Sequence, residues 1–342
     1  MNSKIIKSII FAAAIAISAD GNAQNRITLH SDWTGKKVDV LYDGRLFTSY
    51  IYPDDLEKPV LYPIFTSSGV VVTRGFPRDP RPNERIDHPH QVGLWFNFGD
   101  VNGLDFWNNS YAIPSDQKLK YGSIKHRRII EIKSGKKEGI LVTASDWVDS
   151  KGNVLLKDKT AYFFSGEGAR RIIRRTTTLT AQVPVTFTDN KEGMIGLRVD
   201  RAFEEPSDKP EVFIDSKGNP ATVAVINNEG VNGVYRNSEG LQKESGVWGK
   251  PTKWVCLSAN KDDKDISIAI IDNKKNPGYP AHSFARGYGL FAANNMGSQA
   301  FEKNAPLFSL SLKPKQSVSF THTIVIQDGH FLTDKEINSI KN

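Results

Sequence analysis

Residues 87–107 concentrate side chains that could do chemistry. The segment reads DHPHQVGLWFNFGDVNGLDFW, with two histidines separated by one proline and followed by acidic, aromatic and glycine residues. Residues two apart on a β-strand face the same side, so we expect His88 and His90 to project into one space. Pro89 cannot occupy a central ladder position, which predicts that the pair lies at an edge or a strand entrance. Imidazoles placed there could move protons, bind a metal or satisfy a buried polar spot.

Three other segments mix charged or imidazole side chains with tight glycine turns. They are KEGMIGLRV, VWGK and NPGYPAHSFARGYGLFAANNMG, and VVVTRGFP adds an arginine at the end of an apolar strand. Charged and imidazole side chains at scattered strand ends cost folding free energy. Their presence is easier to understand if the segments share one ligand. We therefore predict that they converge on one concave site.

The residue types at this predicted site fit sugar chemistry. Histidine and carboxylate can exchange protons near neutral pH, arginine can hold a carboxylate or an oxyanion, and tryptophan offers a flat apolar face to a pyranose ring. As acid–base catalysts we predict His88, His90, Glu192 and His282. As substrate-binding residues we predict Arg74, Trp95, Asn102, Asp105, Arg198, Trp248, Arg286 and Asn294.

The histidine pair also raises the question of a metal. H-x-H on a strand is a ligand arrangement for divalent metals, but a cupin-like site needs a glutamate a few residues later, and QVGLWFNF has none. We therefore predict no metal and no cofactor. A distant ligand such as His282, Glu192 or Asp105 could still be brought in by the fold.

Short β-branched and aromatic runs separated by turn signals predict the elements that position these residues. Asp43-Gly44 lies between two alternating segments and predicts a hairpin. A three-stranded meander is predicted over GILVTASDWV, VLLKDKTAYFF and ARRIIRRTTTLTAQ. Four arginines interrupt the apolar pattern of the last strand, so one of its faces should be solvent-exposed or line a groove. Only LTDKEINSI predicts a helix, with Thr333 as N-cap. The pattern favours an all-β fold, a large antiparallel β-sandwich.

The two ends of the chain and its composition set further expectations. Residues 1–23 have a positive start, a short apolar run and small residues before the predicted cleavage point, as in a secretory signal peptide. We expect a single domain over residues 24–330, a short C-terminal helix or tail over 331–342, and a periplasmic or secreted protein. The only cysteine, Cys256, lies far from the cleavage point, which excludes lipid attachment there. The net charge of +7 is spread without a basic block, so we expect no nucleic-acid binding. No apolar run reaches the ~20 residues needed to cross a bilayer, so we expect no membrane insertion.

Four segments resemble the PmoA-like family: DHPHQVGLWFNFGDVNGLDFW, KEGMIGLRV, VWGK and NPGYPAHSFARGYGLFAANNMG. That family, often labelled methane oxygenase PmoA, is a domain of unknown function common in secreted proteins of Bacteroidetes and Planctomycetes, and the resemblance runs from about residue 28 to 330. Gln91 and Phe284 stand where many members have histidine. The resemblance implies carbohydrate chemistry, since members often lie among sugar-catabolism genes. It does not imply methane oxidation, because that enzyme subunit crosses membranes repeatedly and this sequence has no spanning run.

The sequence leaves four functions open. The first is an enzyme that acts on a sugar or sugar acid, on a sandwich similar in plan to the aldose mutarotases and polysaccharide lyases. The second is a non-catalytic sugar-binding protein, which would not need two imidazoles on one face. The third is a cupin-like metal enzyme. The fourth is an envelope protein in which the histidines only cap strand ends.

Overall fold

The computed structural model describes residues 26–215, 217–223 and 226–341, so the predicted signal peptide lies outside the described residues. In chain order the strands are β1 (Ile27–Asp32), β2 (Lys37–Tyr42), β3 (Arg45–Ile51), β4 (Val60–Ile64), β5 (Leu94–Phe98), β6 (Ser123–Lys133), β7 (Glu138–Val148), β8 (Val154–Glu167), β9 (Arg170–Ala181), β10 (Val185–Thr188), β11 (Gly193–Arg198), β12 (Glu211–Ile214), β13 (Pro220–Val223), β14 (Val234–Asn237), β15 (Trp254–Lys261), β16 (Lys264–Asp272), β17 (His282–Arg286), β18 (Leu290–Asn294), β19 (Ser309–Leu312) and β20 (Ser317–Asp328). The α-helices are α1 (Lys243–Val247), α2 (Ser298–Phe301) and α3 (Asp334–Ser339), and the 3-10 helices are Ser115–Lys120 and Arg201–Phe203.

Most strands belong to two eight-stranded sheets. The front sheet has the order β1-β2-β3-β4-β5-β11-β18-β17, and the back sheet has the order β14-β15-β16-β20-β9-β8-β7-β6. Strands β10 and β19 form one small antiparallel pair, and β12 and β13 form another. Buried side chains from both large sheets make one continuous apolar core between them. The predicted all-β fold with large antiparallel sheets is confirmed.

Strand β5 shows how the front sheet separates the core from its outer face. Leu94, Phe96 and Phe98 point into the core between the sheets, because alternate residues of a strand share one side. Trp95 points the other way and joins a second apolar cluster with Trp107. The outer face of the front sheet is therefore itself covered by packed aromatic side chains.

The local turn signals form the connections that they predict. Asp43 and Gly44 both have positive φ, 49° and 78°, and they join β2 to β3 as the hairpin signal requires. Strands β7, β8 and β9 pair in succession as the predicted meander.

Strand β9 places its arginines on both faces. Arg170 and Arg174 are half-buried on the outer face, which is the wet face that the sequence predicts. Arg171 and Arg175, however, are buried on the core side. Arg175 lies over the ring of Phe96 and donates to Thr177 Oγ1 at 3.0 Å, so a polar group inside the sandwich accommodates its charge.

The helix predicted near the C-terminus is α3. Thr333 caps it with a capping box, in which the Thr333 hydroxyl accepts from Glu336 N at 3.3 Å and the Glu336 carboxylate accepts from Thr333 N at 2.8 Å. Leu332 and Ile337 pack on the back sheet against Trp254. In the described part of the chain, no helix is long and apolar enough to cross a membrane.

Candidate functional site

A cavity of about 250 Å³ opens on the outer face of the front sheet. The residues that line it are His88, His90, Gln91, Asn108, Lys191, Glu192, Phe284, Arg286 and Tyr288. They come from the turn before β5, the loops after β5 and before β11, strand β17, and the β17–β18 turn. Four of the residues predicted to share a site, namely His88, His90, Glu192 and Arg286, thus meet at one cavity. The roles assigned to them stay predictions.

The two histidines reach the cavity from a turn and not from a strand. Gln91 N donates to His88 O at 3.0 Å, and His88 has a φ of 45°. The imidazole centroids are 5.6 Å apart, with the rings at 81°. The strand geometry that we used to predict their convergence is therefore wrong, because Pro89 prevents ladder pairing and the chain turns there instead. The predicted position at a strand entrance is correct.

Asp87 is the electrostatic centre behind the cavity. Its Oδ1 accepts from Arg74 Nη1 and from Arg198 Nη2, both at 2.6 Å, while Oδ2 lies 2.9 Å from His88 Nδ1. The arginine side chains are only 1% and 0% exposed, so they support the cavity from behind and do not line it. Burial alone would raise the pKa of Asp87, but Arg198, His88 and Arg74 hold that pKa well below its usual range.

His88 is held on two sides and open on a third. Because Nδ1 is bonded to Asp87, Nε2 is the ring nitrogen left for a ligand. The imidazole stacks on the Tyr288 ring at a centroid distance of 4.9 Å and an angle of 3°. Its side chain is 41% exposed. This arrangement fixes the orientation of the ring and leaves one proton-transfer atom accessible from the cavity.

His90 forms a deeper and drier part of the wall. It is 8% exposed, and its buried Nε2 has no hydrogen-bond partner within the described structure. Burial lowers the pKa of His90 well below its ordinary value, and the nearby Lys58 lowers it further. His90 is therefore neutral at pH 7, with one ring nitrogen left for a polar group of a ligand.

Two ion pairs flank the cavity. Lys191 Nζ lies 2.9 Å from Glu192 Oε1, and Arg286 Nε lies 3.0 Å from Glu244 Oε1. The Glu192 side chain is 18% exposed, so its carboxylate is partly removed from water. The cavity wall thus carries both signs of charge, from Lys191, Glu192 and Arg286.

The predicted tryptophan walls and His282 lie outside the cavity. Trp95 is fully buried and packs on Trp107 at 5.2 Å, since strand alternation turns it into the second apolar cluster. Trp248 and His282 instead surround Phe301, with His282 stacked on that ring at 5.4 Å and 16°. The apolar lining is provided by Phe284 and Tyr288.

Three more predicted contact residues use their side chains to hold loops. Asn102 donates to Pro184 O at 3.0 Å and accepts from Thr186 N at 2.7 Å, away from the cavity. Asp105 accepts from Asn108 N at 2.9 Å, and Asn294 donates to Lys191 O at 3.0 Å. Asp105 and Asn294 therefore position residues that line the cavity. None of the three lines it, because turn and loop backbones satisfy these polar side chains.

Several lining or supporting residues were missed by the sequence reasoning. They are Asp87, Gln91, Asn108, Lys191, Phe284 and Tyr288. Asp87 had a usable signal, because an acidic residue directly before a histidine can orient the ring. Gln91, Lys191, Phe284 and Tyr288 lie in segments that were predicted to converge, but nothing singled out their side chains, since their exact position depends on how β5, β11, β18 and β17 pair.

Metal-ligating side chains do not cluster in the part of the chain that the structure describes. No group of three or more His, Cys, Asp or Glu there could hold a metal ion. The prediction that the protein uses no metal stays a prediction.

Solved structures with similar folds include three whose similarity is low. The GH36 α-galactosidase AgaB from Geobacillus stearothermophilus is 10% identical with a TM-score of 0.42, covering 88% of this chain and 41% of that chain. A GalM/aldose epimerase homologue from C. elegans is 12% identical with a TM-score of 0.32, covering 90% and 100%. The Slr1438 protein from Synechocystis sp. PCC 6803 is 9% identical with a TM-score of 0.33, covering 95% and 100%. The chain spans about two fifths of the length of the α-galactosidase. We draw no functional conclusion at these scores.

The family assignment corrects one expectation from the sequence. No curated protein matches the chain. The family profile that matches covers residues 37–341 and is described as a family of unknown function, DUF6807, so the resemblance to the PmoA-like family was wrong. With nearly the whole described chain inside that match, this protein belongs to the DUF6807 family of unknown function.

Proposed function

We propose that this protein is an enzyme that acts on a small sugar or sugar acid by acid–base chemistry in the cavity described above. The observation that carries the proposal is the placement of His88. Its Nδ1 is bonded to Asp87, its ring is stacked on Tyr288, and the residue lines a cavity that also contains Glu192, with Nε2 as the ring nitrogen not bonded to Asp87. A histidine that only caps a strand end would not need this support on two sides.

In the proposed reaction His88 Nε2 takes a proton from a hydroxyl or a carbon of the sugar. The imidazolium that forms is stabilised by the ionised Asp87, whose pKa the two arginines keep low. Glu192 is the second proton-transfer group, and Arg286 orients an oxygen of the substrate. Phe284 and Tyr288 give the apolar surface against which one face of a sugar ring can pack.

The size of the cavity favours a small ligand. Its volume of about 250 Å³ lies just below the usual range for ligand pockets, roughly 300–1,000 Å³. One sugar ring fits this space better than an extended chain does. We therefore assign a monosaccharide or a single sugar-acid unit to this cavity.

Proton transfer can be detected without knowing the net reaction. We would incubate the wild-type protein with a panel of neutral aldoses and uronic acids in D₂O and follow anomeric interconversion, C–H deuteration and new products by NMR. The proposal expects at least one sugar to change, and expects the change to be lost in Glu192→Gln and His88→Ala. His30→Ala is the matched control, because His30 is exposed on β1 and far along the chain from the cavity residues. If the proton exchange occurs equally in all three variants, the cavity is not where it happens.

We also propose that the protein is exported to the periplasm or beyond, on the strength of the signal-peptide pattern in residues 1–23. Intact-mass measurement of protein from the exported fraction should give a chain that begins at Gln24. A retained apolar N-terminus would refute this proposal.

A further inference from the structure

A second cavity, of about 320 Å³, is separate from the candidate site and is larger. It is lined by Lys36, Tyr52, Pro53, Asp54, Leu56, Lys58, Pro59, Ile124, Lys125 and His126. None of these residues lines the first cavity. A hydrogen bond connects the two linings, in which Lys58 Nζ donates to His90 O at 2.7 Å.

Lys58 is a buried amine beside the second cavity, and its charged form has no closely paired carboxylate among the described residues. The residue is 5% exposed, and its ammonium has the His90 carbonyl as an acceptor and the Trp95 ring at 5.5 Å. Among the residues that the structure describes, no carboxylate forms a salt bridge with it within 4.0 Å. Asp105 and Glu57 act on it only at longer range, and burial lowers its pKa to about 7. An ammonium held this way is costly, and an anion in the adjoining cavity would offset the cost.

The rest of the wall suits a sugar that carries the anion. Two further ammonium groups border the cavity, Lys36 paired with Asp54 and Lys125 paired with Glu57 at 3.0 Å. Tyr52 and His126 stack on each other at 3.9 Å and 28°, and both rings line the space. Burial lowers the pKa of His126 to about 4, so it is neutral at pH 7 and adds an aromatic surface without charge. Aromatic surface beside ammonium groups is how proteins hold a sugar ring and its acidic substituent.

We propose that this second cavity binds a sugar bearing a carboxylate or a sulfate group, with Lys58 as the anion-binding residue and the Tyr52–His126 pair as the surface for the ring. The site goes beyond the proposed function, because it does not require that His88 catalyse anything.

The test is isothermal titration of the wild-type protein with D-glucuronate, D-glucose 6-sulfate and neutral D-glucose. The inference expects saturable binding of at least one anionic sugar and at least 10-fold weaker binding of glucose. Binding of glucuronate alone identifies a carboxylate as the recognised group, and binding of the sulfate ester alone identifies a sulfate. Lys58→Met should weaken binding at least 10-fold, while Lys137→Met, in the exposed β6–β7 turn, should not change it.

Two further variants locate the binding and guard against misfolding. The binding that depends on Lys58 should persist in His88→Ala, so loss of all binding in His88→Ala but not in Lys58→Met would assign the anion to the first cavity and overturn the inference. If Lys58→Met does not fold, the half-buried Lys36→Met and Tyr52→Leu test the same cavity and should each weaken binding. Absence of saturable binding, or equal binding of glucose, would also overturn it. Absence of sugar turnover by the wild-type protein, together with saturable anion binding, would instead count only against the proposed function.

Discussion

The strongest stability prediction concerns Asp87, whose carboxylate holds two buried guanidinium groups. In Asp87→Asn the side chain keeps nearly the same size and one carbonyl acceptor but loses the negative charge. Arg74 and Arg198, with side chains 1% and 0% exposed, are then left without the carboxylate that they share. Breaking a buried ion pair from one side costs roughly 3–5 kcal/mol, and Asp87 is itself mostly buried, with 21% of its side chain exposed. We expect Asp87→Asn to lose about 3 kcal/mol of unfolding free energy at pH 7.

The stability difference between wild type and Asp87→Asn should depend on pH, whereas the effect of a simple packing defect would not. The pKa of Asp87 is lowered in the folded protein, so the unfolded chain binds more protons as the pH falls. The stability that the carboxylate contributes is present above its unfolded pKa of about 3.9 and is lost as the pH falls toward the lower folded pKa. The difference between wild type and Asp87→Asn should therefore be largest near pH 7 and shrink below about pH 4.

Urea denaturation followed by fluorescence measures both effects. Asp54→Asn is the matched control, because its carboxylate pairs with Lys36 at the surface with 91% of the side chain exposed, and its unfolding midpoint should not move. An Asp87→Asn midpoint equal to that of wild type at pH 7, with unchanged denaturant slope, would refute the role given to this carboxylate.

Three further predictions test the packing and electrostatics around the site. Gly196→Ala places a Cβ 2.6 Å from Trp95 Cζ2, so overpacking under the cavity should cost about 1–3 kcal/mol in urea denaturation. Burial raises the pKa of Asp272 to about 6. Between about pH 4 and 6 the Asp272 carboxyl is therefore protonated in the folded protein and ionised in the unfolded chain, so its contribution to the unfolding free energy falls as the pH rises. Asp272→Asn removes this contribution, so its unfolding free energy should rise more steeply between about pH 4 and 6 than that of wild type. Parallel curves of unfolding free energy against pH for the two proteins would contradict this prediction. Thr333→Ala removes the capping box of α3 and should cost about 1 kcal/mol in thermal unfolding, whereas Ser339→Ala at the other end should cost less.

Features that depend on neighbouring residues could be predicted from the sequence. The two-residue hairpin turn requires positive φ at both positions, which Asp43 and Gly44 adopt, so this dipeptide alone predicted the hairpin. The Thr333 cap was readable because Glu336 stands three residues later. Alternation along LWFNF showed that Leu94, Phe96 and Phe98 share a face, although not which face would be the wetter one.

The convergence of the segments that form the cavity was predicted, but the strand order that produces it could not be. His90 and Arg286 share a cavity because β5 pairs with β11, β11 with β18, and β18 with β17, and these pairings join segments almost two hundred residues apart. Trp95, which was predicted to bind substrate, is instead buried against Trp107 on the outer face of the same sheet. Arg175 is buried for a similar reason, because its inward position on β9 faces the Thr160 hydroxyl of β8.

The most direct test of the central claim, that His88 transfers the proton in the cavity, is chemical rescue of His88→Ala. General acid–base catalysis contributes about 10²–10⁴ in rate, so turnover of the sugar found in the NMR panel should fall at least ~100-fold. Because the His88 side chain is 41% exposed, free imidazole can enter the space left between Asp87 and Tyr288 and should restore turnover in a saturable way. His30→Ala should keep wild-type turnover and show no response to imidazole. Turnover by His88→Ala within a few-fold of wild type would contradict the account.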